Sequence, residues 1–233
     1  MLFYFGRRYV MVLDLQSGRR PKAVLFDLDG TLVDSMGLWK EIDIQFMKDR
    51  DLAMPESLQM DIAGMSMYET ALYFIREFEL EDQPEDLMDL WNEMARESYR
   101  HHVEVKPGAI EFLQSLKDKG IKTGLATSNS YDLVQACFEG TGLGKYLDAV
   151  VSADEVKNGK PAPDVYLTCA RKISVDPRTC IVFEDVIQGV QAARNAGMKV
   201  YAIDDPYSRE HLDEKRNLSD GVISDFTEID LLL

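Results

Sequence analysis

Two aspartates two residues apart, Asp27 and Asp29, close the run Ala23-Val24-Leu25-Phe26-Asp27-Leu28-Asp29-Gly30-Thr31. Four apolar residues ahead of an acidic, glycine-containing turn read as a buried parallel strand, and open α/β sheets bind ligands at the carboxyl ends of such strands. Strand side chains alternate, so the two carboxylates share a face if the strand continues, and Gly30 then lets the backbone turn away. Carboxylates this close do not both stay ionised unassisted; the pair calls for a metal ion, a shared proton, or both. Asp27 is a candidate nucleophile, because a carboxylate can attack phosphorus and split a hydrolysis into two steps through an aspartyl-phosphate. Asp29 can protonate a leaving oxygen and then deprotonate water. Thr31 follows within hydrogen-bonding reach of the turn. Either aspartate in isolation would read as a polar strand end capping a turn.

Three later segments supply what that chemistry lacks. Thr127 ends the run Thr123-Gly124-Leu125-Ala126 and offers a hydroxyl. Ser128 and Asn129 follow it where a helix should begin, and unpaired backbone N–H groups at a helix start favour an anion, although Ser and Asn also cap helices routinely. Lys160, in Asn158-Gly159-Lys160-Pro161-Ala162-Pro163, sits in a stiff loop from which an ammonium can neutralise a nucleophile and a transferring phosphoryl group. A lone lysine in a solvated turn is the ordinary alternative. Glu184-Asp185 follows Cys180-Ile181-Val182-Phe183. Paired hard oxygen donors suit Mg²⁺, with Asp185 expected as a direct ligand, Glu184 through water, and the Asp27 carboxylate and Asp29 carbonyl completing the set. A carboxylate nucleophile, an oxyanion donor, a lysine and a magnesium pair, in that order and each at a strand end, are the parts of phosphoryl transfer.

The elements that must hold these groups follow from the apolar pattern. Besides the three runs above, Ala149-Val150-Val151, Lys199 to Ile203 and Gly221-Val222-Ile223 read as strands, with helical patterns at about 108–119, 130–139, 163–172 and 187–196 between them. This alternation predicts a Rossmann-like parallel sheet, an α/β fold whose right-handed crossovers bring the polar turns to one edge. Residues 36–105 break the rhythm with helix-period stripes (Leu38, Ile42, Phe46; Met67, Ala71, Phe74; Leu87, Trp91, Met94, Ser98) and no strand pattern. The expected organisation is an N-terminal extension over 1–21, a catalytic core over 22–35 and 106–233, and an inserted all-helical cap over 36–105, placed to act as a lid. Lys106-Pro107-Gly108 marks the return to the core. Gly140 to Gly144 follows a helix rather than a strand and reads as a C-cap, not a nucleotide loop.

Composition narrows the partners. Forty-one acidic residues against 26 basic ones give a formal charge of −15, which opposes nucleic acid and anionic membrane, so an anionic substrate must be captured locally. Cys137, Cys169 and Cys180 lack CxxC spacing and lie in periodic apolar segments, as buried thiols of a reduced, cytoplasmic protein would. No segment approaches the roughly 20 apolar residues of a membrane span. Within the extension two readings stand, Met11 as an alternative start and residues 1–20 as a misannotated leader. The sequence sets no oligomeric state and is compatible with a monomer.

The motifs DLDGTLVDS, ATSN, KPAPDVYL and FEDVIQGVQAA, in that order over residues 22–225, resemble the haloacid dehalogenase superfamily in its branch with a helical cap, close to beta-phosphoglucomutase-like enzymes and small-molecule phosphatases. The resemblance implies Mg²⁺ dependence, aspartyl-phosphate chemistry and the roles named above. In the mutases a cap histidine and a cap arginine serve a second phosphate; the matching positions here are Trp39 and Met67, and methionine cannot pair with phosphate. Thr31 also agrees with the phosphatase pattern. A Mg²⁺-dependent phosphatase acting on a small phosphorylated metabolite, such as a sugar phosphate, is therefore expected. A phosphosugar mutase and a non-catalytic phosphometabolite sensor are the alternatives. Substrate choice should fall to the cap, at Trp39, Lys40 and Asp43 and at Met65 to Tyr68, with Trp39 and Met67 forming an apolar wall.

Overall fold

The computed structural model describes the backbone of residues 2–5, 8–14 and 20–232 and the side chains of 20–229. Strands β1 (Leu2–Phe5) and β2 (Arg8–Asp14) pair antiparallel and precede β3 (Ala23–Phe26), whose four residues are all buried. After β4 (Val33–Asp34) come four helices: α1 (Met36–Asp49), α2 (Leu58–Asp61), α3 (Met67–Glu77) and α4 (Pro84–His101). Then β5 (Glu104–Val105), α5 (Ala109–Asp118), β6 (Lys122–Thr127), α6 (Tyr131–Thr141), β7 (Ala149–Ser152) and α7 (Asp164–Lys172) follow. The chain ends with β8 (Cys180–Glu184), α8 (Ile187–Asn195), β9 (Lys199–Ile203), α9 (Leu212–Leu218), β10 (Gly221–Ile223) and β11 (Ile229–Leu232).

Six strands form one parallel sheet in the order β10-β9-β8-β3-β6-β7. The chain builds outward from β3 through β6 to β7, then returns to the other side of β3 with β8 and continues through β9 to β10. Strand order therefore reverses between β3 and β8, and such a switch point opens a crevice beyond the strand ends. Register aligns Phe26 with Leu125 on one neighbour and with Phe183 on the other. The polar residues that follow these three strands therefore converge on one edge.

Alternation along β3 divides the core. Leu25 faces α7 and α8 among Val165, Cys169 and Val190. Phe26 joins a ring cluster on the other face, stacked on Phe183 at 5.6 Å and edge-on to Phe112 at 6.0 Å, with Phe226 5.5 Å from Phe112. Gly124 is needed for packing, because a Cβ there would overlap Cys169 Sγ and crowd Leu25. The three cysteines are buried and unpaired, and burial pushes their thiols up to about 12 at Cys137 and Cys169 and about 11 at Cys180.

The helical insertion has its own aromatic centre: Phe46, Phe74 and Trp91 lie 5.1 to 5.5 Å apart. Its buried stripe on α4 runs Leu87, Trp91, Ala95, Tyr99, a strict four-residue step. Met94 and Ser98, which the sequence pattern put on that face, are only half-buried. This correction matters because it turns Tyr99 inward. The two crossings between insertion and sheet are joined by the β4–β5 ribbon, Val33 opposite Val105. Helix α4 lies close on α6, where a Cβ at Gly140 would overlap the Arg100 backbone, and Arg96–Asp132 and Arg100–Glu139 pair across it at 2.7 and 3.0 Å.

Strands β1, β2 and β11, the β4–β5 ribbon and α9 are additions to the sequence pattern. In β11, Ile229 to Leu232 pair in parallel with Met11 to Asp14 of β2, within the expected N-terminal extension; residues 1, 6, 7 and 15–19 of that extension lie outside the described residues. Gly142, at φ +71°, closes α6 as the sequence reading expected. No helix among the described residues is long and apolar enough to cross a membrane. Replacing Phe112 with alanine empties the centre of the ring cluster, and is expected to cost about 3–5 kcal/mol, measured as a lower urea midpoint at unchanged slope.

Candidate active site

The Asp27 N–H donates to the Phe183 carbonyl at 3.1 Å, one ladder step beyond β3, and this carries the carboxylate to the sheet edge. The chain then turns at Gly30, φ +74°, whose N–H reaches the Val33 carbonyl at 2.9 Å. A Cβ on Gly30 would overlap the Asp185 carboxylate, so glycine is what lets the two acidic loops approach.

Lys160 stands between those loops. Its Nζ donates to Asp27 Oδ1 at 2.6 Å and to Glu184 Oε1 at 2.5 Å, and its side chain is 2% exposed. Glu184 also accepts from Tyr166 Oη at 2.8 Å and, on Oε2, from the Asp185 and Val186 N–H groups at 2.9 and 3.2 Å. Its oxygens are thus committed to the lysine and to its own loop. Asp185 differs: Thr31 donates to Oδ1 at 3.1 Å, whereas Oδ2 is buried with no hydrogen-bond partner. Behind it the buried Lys215 donates to the carbonyls of Asp185 and Ile203 at 2.9 and 2.8 Å.

Asp29 is gripped by three donors. Ser35 reaches Oδ1 at 2.5 Å, Tyr99 also donates to Oδ1, and Asn129 Nδ2 reaches Oδ2 at 3.0 Å. The Tyr99 oxygen in turn accepts from Trp39 Nε1 at 2.7 Å and from Asn129 at 2.9 Å.

The segment after β6 departs from expectation. Helix α6 starts at Tyr131 with Ser130 as its cap, so Ser128 and Asn129 precede the helix. The Asn129 N–H is taken by Thr127 Oγ1 at 3.0 Å and its side chain serves Asp29 and Tyr99, which leaves it no group for an anion. Ser128 donates its hydroxyl to the Gly64 carbonyl at 3.0 Å, joining core to cap. The Thr127 proton has no acceptor among the described residues and is free to donate. A third tie runs from the Gly159 N–H to Glu69, which also completes the Ser66 capping box of α3.

Between cap and sheet edge lies a cavity of about 850 Å³. Asp27, Asp29, Thr127, Lys160 and Asp185 line its inner end, and Trp39, Lys40, Asp43 and Met67 line the cap end. Trp39 is committed to Tyr99 through its N–H, Met67 is 7% exposed as the first residue of α3, and Lys40 is exposed at the wall.

The electrostatics are those of excess negative charge in a dry place. Burial pushes the Asp27 carboxyl up to about 7, with Lys160 pulling it back and Glu184 and Asp29 pushing further. Burial likewise raises Asp29 against its three hydrogen bonds, and it holds Asp185 well above the carboxylate range with the Glu184 and Asp27 charges adding to the effect. Burial disfavours the Lys160 ammonium, but Asp27 and Glu184 outweigh it and its pKa ends above the ordinary value. One ammonium does not neutralise four carboxyls. Oxygens of Asp27, Glu184 and Asp185 lie within 4.8 Å of one another, and with Glu184 committed, Asp27 and the orphaned Asp185 Oδ2 are the oxygen donors that fit a hard divalent cation, Glu184 standing behind them.

Residues 24–203 match the family of haloacid dehalogenase-like hydrolases, and the chain belongs to that family. It is 32% identical to a phosphorylated carbohydrates phosphatase of Thermotoga maritima, across 78% of this chain and 85% of that protein. It is also 32% identical to the fructose-1-phosphate phosphatase YqaB of Escherichia coli, across 77% and 94%. The fold resembles that of CbbY from Rhodobacter sphaeroides, solved in complex with phosphate, with a TM-score of 0.80 at 22% identity over 89% of this chain and 96% of that one.

Ser35 and Tyr166 complete the site from within the first and third motifs, where no role had been assigned to them, and Tyr99 and Lys215 complete it from outside any motif. For Tyr99 a signal exists in the four-residue step from Leu87, which the seven-residue stripe through Met94 and Ser98 obscures. Lys215 lies in a short, charge-rich helix that reads as solvated surface.

Two outcomes follow. A Cβ at Gly189 would overlap the Glu184 carboxylate that holds Lys160, so Gly189→Ala is expected to destabilise the protein by about 1–3 kcal/mol in denaturant melts. In the cap, burial raises the Asp43 carboxyl to about 6, with a hydrogen bond from Gln59 opposing the shift. The folded state therefore keeps a proton that the unfolded chain loses above about pH 4, and stability falls as pH climbs towards 6. Asp43→Asn should exceed the parent by up to about 3 kcal/mol at pH 7.5, with the gap closing near pH 4 in parallel melts.

Proposed function

We propose that this chain is a Mg²⁺-dependent phosphatase that hydrolyses a small phosphorylated metabolite, such as a sugar phosphate, through an aspartyl-phosphate on Asp27, in the cytoplasm. The observation that carries the reading is Lys160 bridging Asp27 and Glu184 beside an unpartnered Asp185 oxygen, all at the switch point of a parallel sheet. The relatives named as phosphatases of phosphorylated carbohydrates and of fructose-1-phosphate support the substrate class. Residues 36–105 serve as the cap over a core of 22–35 and 106–233.

Asp27 and Asp185 would hold the ion directly, with Glu184 behind them. Bound there, magnesium would neutralise carboxylate and phosphoryl charge and permit their approach. The protein's own groups then divide the labour. Asp27 Oδ2, with no donor among the described residues, forms the bond to phosphorus as the ester P–O bond breaks. Asp29, fixed by Ser35, Tyr99 and Asn129, gives its proton to the departing alcohol oxygen. Water next loses a proton to Asp29 as its oxygen bonds to phosphorus and the Asp27–phosphorus bond breaks, which returns both carboxyls to their starting states. Thr127 donates its free hydroxyl proton to a phosphoryl oxygen and Lys160 offsets the charge at Asp27. Hydrolysis is favoured over phosphosugar mutation because Trp39 is committed to Tyr99 and Met67 is buried, so neither position offers a cation to a second phosphate.

Asp27→Asn is expected to lower Mg²⁺-dependent phosphate release by at least about 10³-fold while the melt shows a folded protein. A chelator should silence the parent and added Mg²⁺ restore it. Across sugar phosphates, nucleotides and short organic phosphates, complete inactivity of the parent would overturn the reading; retained turnover in the variant would remove Asp27 from its role.

A further inference from the structure

The catalytic groups occupy the inner end of the cavity; its cap end carries polar groups that the reaction leaves unused. Asp43 is 6% exposed, lines the cavity and has a hydrogen bond from Gln59 Nε2 on one oxygen. Trp91 is 3% exposed and lines the same cavity, and its indole N–H is buried with no acceptor among the described residues. The two are linked through one intervening ring. Asp43 and Phe46 lie one turn apart on α1, and the Phe46 ring rests on Trp91 at 5.5 Å between centroids. An acceptor with one oxygen still unpaired among the described residues and a donor with none of its capacity used thus belong to two residues that line one cavity, and a buried polar group left without a partner is costly.

We propose that this end of the cavity is a hydroxyl-reading subsite, in which Asp43 accepts and Trp91 donates hydrogen bonds to the hydroxyls of a neutral polyol leaving group. The inference rests on the phosphatase reading above and narrows its substrate. A hydroxyl is the group that both donates and accepts. An ammonium donates to Asp43 but leaves the Trp91 N–H unpaired, and it meets Lys40 at the wall. A second phosphate or a carboxylate accepts from Trp91 but meets Asp43, Glu56, Glu210 and Glu214, all lining the cavity. An alkyl chain satisfies neither group. Burial raises the Asp43 carboxyl to about 6, so near neutrality it is present chiefly as the carboxylate that such a hydroxyl needs.

The test compares matched esters on the intact protein with Mg²⁺: glycerol 1-phosphate, n-propyl phosphate, phosphoethanolamine and an aryl phosphate, with the parent, Asp43→Asn and Trp91→Phe. The parent should prefer glycerol 1-phosphate to n-propyl phosphate by about 10- to 100-fold in kcat/KM, because a site built to bind a hydroxyl rejects an analogue that lacks it. Each variant should shrink that ratio to within about threefold of unity, a change that general loss of structure would not produce because it lowers both esters together. Trp91→Phe keeps the ring packing and removes the N–H, so it tests the donor even if Asp43→Asn repacks. A parent ratio near unity, or a ratio that both variants leave intact, overturns the subsite. Preference for phosphoethanolamine that Asp43→Asn abolishes replaces it with an ammonium site. Release from the aryl phosphate without hydroxyl preference sinks the subsite alone, whereas no release from any ester sinks the phosphatase reading with it.

Discussion

A buried ammonium shared by two carboxylates is the constraint around which the rest of the molecule is arranged. Lys160 Nζ lies 2.6 Å from Asp27 and 2.5 Å from Glu184, in a place where none of the three groups is well hydrated. Charges taken out of water are tolerated only when their geometry is good and their remaining valences are filled. Glu184 meets that demand with Tyr166 and two backbone N–H groups, which ties the loop after β8 to the same carboxylate. Asp185 does not meet it on one oxygen, and that unmet demand is one that a bound cation could fill. The same demand explains two glycines: side chains at Gly30 or Gly189 would push the carboxylates apart.

The second aspartate is governed from the cap. Asp29 leaves the same strand end as Asp27, yet its donors come from three parts of the chain: Ser35 at the entry to the cap, Tyr99 on the last cap helix and Asn129 beyond β6. Ser128 to Gly64 and Gly159 to Glu69 add further links across the same boundary. The placement of α4 and the setting of Asp29 are therefore one property: whatever shifts α4 against the sheet also shifts the hydroxyl on Asp29. The close seat of α4 on α6 at Gly140 limits that freedom.

Much of the sheet edge was legible in the chain. An apolar run of four ending in Asp27, another ending in Thr127 and a third ending in Glu184-Asp185 needed only the rule that parallel strands deliver their carboxyl ends to one side. Lys160 was legible as chemistry through its stiff, proline-rich loop, but not as a bridge, since a lysine loop carries no sign of where its ammonium lands. Asn129 looked like part of a helix start because Asn and Ser are common caps; the cap proved to be Ser130, and the displacement by one residue turned Asn129 from an anion binder into a support for Asp29. Tyr99 was hidden because a stripe through Met94 and Ser98 fits a helix almost as well as one through Ala95 and Tyr99, and only packing against α1 and the sheet edge separates them.

What the amino-acid sequence determined by itself is the set of strand-end groups and their order, because period-two and period-3.6 patterns are local and parallel topology converts order along the chain into proximity at one edge. What the tertiary structure alone decided is how each polar valence is filled: Glu184 by Lys160 and its own loop, Asp29 by Ser35, Tyr99 and Asn129, Asp185 by Thr31 on one oxygen and by nothing on the other. Those pairings join residues up to 154 positions apart. Hydrogen bonds act over about 3 Å, so no regularity within any one segment can announce them.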